Sequence, residues 1–144
     1  MGMAKQLHFP VFIQLRPYSC GAAVLQMVVK HLTGEKISHR DAITHTFCEP
    51  DGCTMARLKR AIRKFGITVG KCDKRQKAIR TALDADRLVI IDDNDSYSSE
   101  HVELVSGYGG KKFWIVDPMQ ILPRLRPGKD MIKSAEECFT AYVK

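Results

Sequence analysis

The stretch from Cys20 to Leu32 restricts this chain more than any other. Ala22, Ala23, Val24, Leu25, Met27, Val28, Val29 and Leu32 surround a helix with apolar side chains. A helix that is apolar nearly all round has to be buried, so the other elements must be built around it. Gly34 is placed to close it. On its N-terminal side, Pro17 lacks a backbone donor and pushes Arg16 to be extended, so a loop runs into the helix. A chain of 144 residues, 44% of them hydrophobic, has enough material to bury such a helix in one domain spanning residues 1–144.

The first helical residue is a cysteine. A thiol at a helix N-terminus feels the positive end of the macrodipole, which favours the thiolate. A small buried hydrophobe would read the same way from the sequence alone. Whether Cys20 is chemical therefore depends on what the rest of the chain can bring to it.

Leu7 to Gln14 is a short, mostly apolar approach expected to lie extended against the first helix. Ser38 with Asp41 resembles a capping arrangement for a short helix through Phe47. Cys48 to Cys53 reads as a turn. Thr54 caps an amphipathic helix with Met55, Leu58, Ile62 and Phe65 inward and Arg57, Arg60, Arg63 and Lys64 outward, ended by Gly66. Ile67-Thr68-Val69 is a short strand. Asp73 opens another helix with Ile79, Ala82 and Leu83 inside. Leu88-Val89-Ile90-Ile91 is a continuous apolar run that suits a central strand, and Asp92 to Ser99 reads as a polar loop. His101 to Val105 and Phe113 to Val116 are strands joined by a turn over Gly107-Tyr108-Gly109-Gly110. Pro123 and Pro127 mark an irregular segment, and Ser134 with Glu137 suggests a capped final helix to about Tyr142. Helices first and a mainly antiparallel sheet afterwards make the fold class α+β.

A cysteine nucleophile needs a base, an orienter for that base and a donor for the oxyanion. His101 begins one strand of the hairpin and Asp117 follows the other. A turn centred on Tyr108-Gly109 sets these two side by side, where a carboxylate can hold the imidazole tautomer and support the imidazolium. Taken singly, His101 is a strand-edge histidine and Asp117 a strand-ending aspartate before proline. Taken with Cys20, the triad is the preferred reading.

Gln14 six residues before Cys20, Gly21 directly after it and the small residues that follow resemble the first motif of the papain-like, double-glycine bacteriocin-processing cysteine peptidases. His101, Gly107-Tyr108 and Ile115-Val116-Asp117-Pro118 are similar to that family's later motifs, in the same order. The resemblance covers roughly Phe12 to Pro118. It implies a papain-like fold with Cys20 as nucleophile, His101 as base, Asp117 as orienter and Gln14 as oxyanion donor, acting on a peptide or protein without a cofactor. Many members carry aspartate just before the cysteine; here it is Ser19, as in stand-alone relatives. Transporter-linked members continue into membrane and ATPase domains, whereas this sequence stops at Lys144. The expectation is thus a stand-alone member, with no argument for a double-glycine leader as its substrate. The same machinery also runs deamidation or acyl transfer to another acceptor.

Other readings draw on what remains. No run of about eighteen apolar residues is present to span a membrane, and the N-terminus lacks the apolar core of a secretory signal. With five cysteines lacking paired spacing, a cytoplasmic, reducing location is expected. Cys48, Cys53, Cys72, His39 and His45 offer zinc-ligating atoms, but no second pair of matched spacing follows Cys48 and Cys53. Asp92, Asn94, Ser96 and Ser98 alternate oxygens as in a calcium loop, yet Tyr97 stands where the turn requires glycine. The net charge of +7 and the cationic faces Arg57, Arg60, Arg63, Lys64 and Lys74, Arg75, Lys77, Arg80 make nucleic acid or an acidic protein the main non-enzymatic partner. No aromatic residues interleave with those cations, as single-strand binding would require.

Overall fold

The computed structural model describes residues 4–7, 20–46, 54–93, 101–118 and 123–144. Its order is β1 (Ala4–Gln6), α1 (Cys20–Thr33), α2 (His39–Thr46), α3 (Met55–Lys64), β2 (Thr68–Lys71), α4 (Gln76–Asp84), β3 (Leu88–Asp93), β4 (His101–Gly109), β5 (Lys112–Val116), β6 (Arg124–Pro127), α5 (Gly128–Ser134) and β7 (Ala135–Tyr142). The strands form one antiparallel sheet in the order β2-β7-β3-β4-β5-β6, and β1 pairs with the far end of β4. The α+β class expected from the sequence, helices packed on a mainly antiparallel sheet, is the one observed.

Helices cover both faces of the sheet. On one face α1, α2 and α3 pack over Leu88, Ile90, Val102, Leu104, Val116, Phe139 and Ala141. On the other, Ile79 and Leu83 of α4 and Met131 of α5 pack over Val89, Ile91, Val105, Phe113 and Ile115. Alternate residues of β3 thus enter opposite cores, which is why its sequence is an unbroken apolar run. Helix α1 is buried from Cys20 to Val29, as its composition demands. The caps also form: the Asp41 N–H donates to Ser38 Oγ at 3.0 Å and the Arg57 N–H to Thr54 Oγ1 at 3.2 Å. Gly34 and Gly66, at φ 79° and 77°, sit just past α1 and α3.

Several elements differ from the sequence expectation. The final segment is a strand, β7, inserted between β2 and β3. Ser134 and Glu137 mimic a capping pair, but the Ser134 hydroxyl donates back to the Met131 carbonyl and closes α5. Phe139 and Ala141 enter one core while Cys138, in the opposite phase, enters the other, a period of two that a polar-apolar count does not reveal. Ala135 joins the Cys138 side because the register shifts between Ile91 and Asp93 of β3. The segment around Pro123 and Pro127 is likewise ordered, because Arg124–Pro127 adds an edge strand to β5, a position where proline is tolerated. Helix α4 starts at Gln76, not at Asp73. Asp92 and Asp93 extend β3 and do not begin a loop. The apolar approach beyond Leu7, the Cys48–Cys53 turn and positions 94–99 lie outside the described residues.

The hairpin is longer than expected. Gly107, Tyr108 and Gly109 belong to β4, and the turn falls on Gly110 and Lys111. Gly107 is in the strand for a steric reason: a Cβ there would collide with the Lys5 carbonyl oxygen of β1. The register shifts between Val105 and Gly107, where two steps along β4 match one along β5. That bulge at Ser106 brings Val105 and Tyr108 to the same core despite their odd spacing.

Candidate active site

Three elements converge on one place. Helix α1 supplies Cys20 at its first residue, 3% exposed. Strand β4 begins with His101, 4% exposed, and the chain leaving β5 supplies Asp117, 1% exposed. Pro118 disfavours helical backbone at Asp117, so the chain leaves the strand extended.

The His101 Nε2–H donates to Asp117 Oδ1 at 2.6 Å. This leaves Nδ1 as the other ring nitrogen, and Cys20 lies close enough to act on the ring as a hydrogen-bond partner. Burial pulls the His101 pKa down. The hydrogen bonds to Asp117 and Cys20 and the charges of both outweigh that effect and push it up to about 9. His101 thus holds its proton well above the ordinary range of a histidine, in a site nearly closed to water.

The juxtaposition of His101 and Asp117 is observed, but not through the expected register. The pairs Leu104–Val116 and Val105–Ile115, continued by one residue, set Asp117 across from Glu103. His101 lies two residues along the same face and is reached on the diagonal. The one-residue bulge and the displaced turn together account for the difference.

Glu103 is the member of this cluster that the sequence reading did not single out. It is fully buried, and its Oε2 accepts from Arg124 Nη2 at 2.9 Å. His101, Glu103 and Asp117 each place a ligand-type atom within 4.8 Å of the others. The i, i+2 spacing of His101 and Glu103 on one strand was available as a signal. Its force depends on β6, which brings Arg124 and was not foreseen.

The remaining candidates fall elsewhere. Gln14, Cys48 and Cys53 lie outside the described residues. His39 Nδ1 is 2.8 Å from Gln26 Oε1, the His45 ring packs edge-on against Phe65, and Cys72 faces Cys138. Of the cationic residues, Arg75 pairs with Asp73 at 3.1 Å. Arg80 donates to the Gly110 carbonyl and lies over the rings of Tyr108 and Phe113. These two side chains are engaged in structural contacts. Among the described residues, no helix is long and apolar enough to cross a membrane.

Several solved structures share this fold. The peptidase domain of Streptococcus ComA, a bifunctional ABC transporter involved in quorum sensing, superposes with a TM-score of 0.81 at 19% identity, over 95% of this chain and 100% of that one. A C39-like peptidase from Bacillus anthracis gives 0.80 at 12% identity, over 99% and 98%. A double-glycine motif protease from an AMS/PCAT transporter, solved with its leader peptide, gives 0.76 at 19% identity, over 94% and 91%. No curated protein matches the sequence. The model of the Peptidase C39 family matches residues 8–142. The chain therefore belongs to the Peptidase C39 family, whose members are papain-like cysteine peptidases.

Proposed function

We propose that the protein hydrolyses a peptide or isopeptide bond through a Cys20 acyl-enzyme. Cys20 is the nucleophile, His101 the general acid and base, Asp117 its orienter and Gln14 an oxyanion donor. The observation that carries this reading is the buried His101, bonded through Nε2 to Asp117 at 2.6 Å with Cys20 acting on the same ring. An imidazole held in this way is fixed in tautomer and favours its charged form, which stabilises a thiolate beside it.

The Cys20 thiolate adds to the substrate carbonyl carbon. The resulting oxyanion is met by the Cys20 backbone N–H, one of the donors at the start of α1 that a helix does not pair internally, and by the Gln14 side-chain amide. The His101 imidazolium gives its proton to the leaving amine, and a thioester remains on Cys20. Neutral His101 then takes a proton from water as that water attacks the thioester. Collapse of the second tetrahedral intermediate releases the acid and restores the ion pair. The leader peptide bound by the AMS/PCAT protease supports a peptide as the substrate here.

Mass mapping of iodoacetamide adducts at neutral pH tests the reading. Cys20 alkylation should slow at least tenfold in His101→Ala while labelling of Cys72 and Cys138 is unchanged. Equal effects on all the cysteines, or none on Cys20, would remove the nucleophile.

A further inference from the structure

Away from the candidate active site, two more cysteines are brought together. The β2–β7 pairing runs from Thr68–Tyr142 to Lys71–Phe139. One further step in the same register sets Cys72 directly opposite Cys138. Opposed residues of an antiparallel pair have Cα atoms about 4.5 to 5.5 Å apart, inside the window that a disulfide spans. Cys138 is 9% exposed, and its thiol donates to the Cys72 carbonyl oxygen at 3.1 Å. Cys72 is half-buried and lines an open groove of about 730 Å³ between the end of β2 and α4, so small molecules can reach it.

We propose that Cys72 and Cys138 form a peroxide-responsive dithiol, in which Cys72 is oxidised first and Cys138 resolves it to a reversible cross-strand disulfide. The roles follow from the asymmetry of the pair. Cys72 is exposed to the groove, and the side-chain interaction of its thiol with that of Cys138 lowers its pKa against the opposing effects of burial and of Asp73. Cys138 is raised by the same thiol–thiol interaction and by burial, so it keeps its proton.

The Cys72 thiolate attacks one oxygen of hydrogen peroxide. A sulfur–oxygen bond forms, the oxygen–oxygen bond breaks, and hydroxide leaves, becoming water with the proton that the Cys72 thiol had released on ionising. Cys138 then loses its proton and attacks the Cys72 sulfur; the sulfur–sulfur bond forms and the sulfenic oxygen departs as water. Two thiols are oxidised by two electrons and one peroxide is reduced to two waters. The disulfide would tie β2, at one end of the sheet, to β7 beside it.

The test uses the intact protein treated with a small excess of hydrogen peroxide. A non-reducing digest should yield a linked peptide joining Cys72 to Cys138, lighter by two hydrogens than its parts and separated again by dithiothreitol. Because the bond closes a long loop, the oxidised protein should melt on the order of 5–10 °C higher than the reduced one. The increase should be absent in Cys72→Ser. In Cys138→Ser, Cys72 should persist as a sulfenic acid that dimedone traps. Peroxide consumption with Cys72 and Cys138 both still free would overturn the proposal, as would a linkage of either one to Cys48 or Cys53.

Discussion

Replacing Asp117 with asparagine isolates what the carboxylate does for His101. The side chain keeps its shape but loses its charge, while burial of the ring, the opposing influence, stays in place. His101 should therefore fall from about 9 toward its ordinary value of 6.5, with only the hydrogen bond and charge of Cys20 left to hold it up. At pH 8 the imidazolium fraction is roughly 90% for a pKa of about 9 and roughly 3% for one of 6.5, so the loss of the protonated acid can reach about thirtyfold. Two measurements read this change. The ring-proton NMR signal of His101, assigned by its absence in His101→Ala, should titrate near 9 in the parent protein and well below that in Asp117→Asn. On any peptide the parent cleaves, the alkaline limb of kcat/KM should move down with it. The same shift enters stability with a definite sign. A pKa raised in the folded state contributes stability that is complete below about pH 6.5 and is lost as pH rises through about 9. For the His101 proton alone the contribution is roughly 3 kcal/mol, so the urea midpoint should decline across that window, and much less in Asp117→Asn. A His101 that still titrates near 9 without the Asp117 charge would refute the argument.

Three other substitutions probe separate parts of the structure. Glu103→Gln should cost roughly 2 kcal/mol in urea unfolding, because the partly exposed Arg124 loses its buried partner, yet leave the alkaline limb in place. Movement of the limb would show Glu103 acting on His101 as well. Gly107→Ala should cost roughly 1–3 kcal/mol by driving the new Cβ into the Lys5 carbonyl of β1, and an unchanged urea midpoint would contradict that packing. Gln14→Ala should lower kcat on the order of a hundredfold with little change in KM; an equal loss through KM alone would make Gln14 a binding residue.

The parts legible in the sequence were those written in local chemistry. An apolar run after Pro17 announced α1, and side-chain oxygens at Ser38 and Thr54 announced the starts of α2 and α3. Leu88 to Ile91 announced a strand buried on both faces. His101 and Asp117 could be paired from the hairpin because both flank a turn that the glycines made visible. The failures are where tertiary pairing overrode a local signal. Ser134 and Glu137 have capping spacing, but the run beyond them is captured between β2 and β3, which no neighbour in sequence reveals. The register error at Asp117 came from one extra residue at Ser106 and from Gly107 being needed for the approach of β1. Glu103 was overlooked for a related reason, since its partner Arg124 sits on an edge strand whose prolines read as irregular.

The position of β7 also bears on the order in which the molecule can be assembled. β2 is synthesised before β3, β4 and β5, yet its sheet partner is β7, some seventy residues further along the chain. During synthesis the hairpin of β4 and β5 can form as soon as it emerges, and β3 can join it. β2 must wait as an unpaired strand, and β3 keeps one edge open until β7 arrives to fill the gap. Both closures are non-local, so their loop entropy is paid late and folding should be slow for a domain of this size. The interval leaves two unpaired edges exposed, and a chain interrupted before residue 135 would remain in that aggregation-prone state.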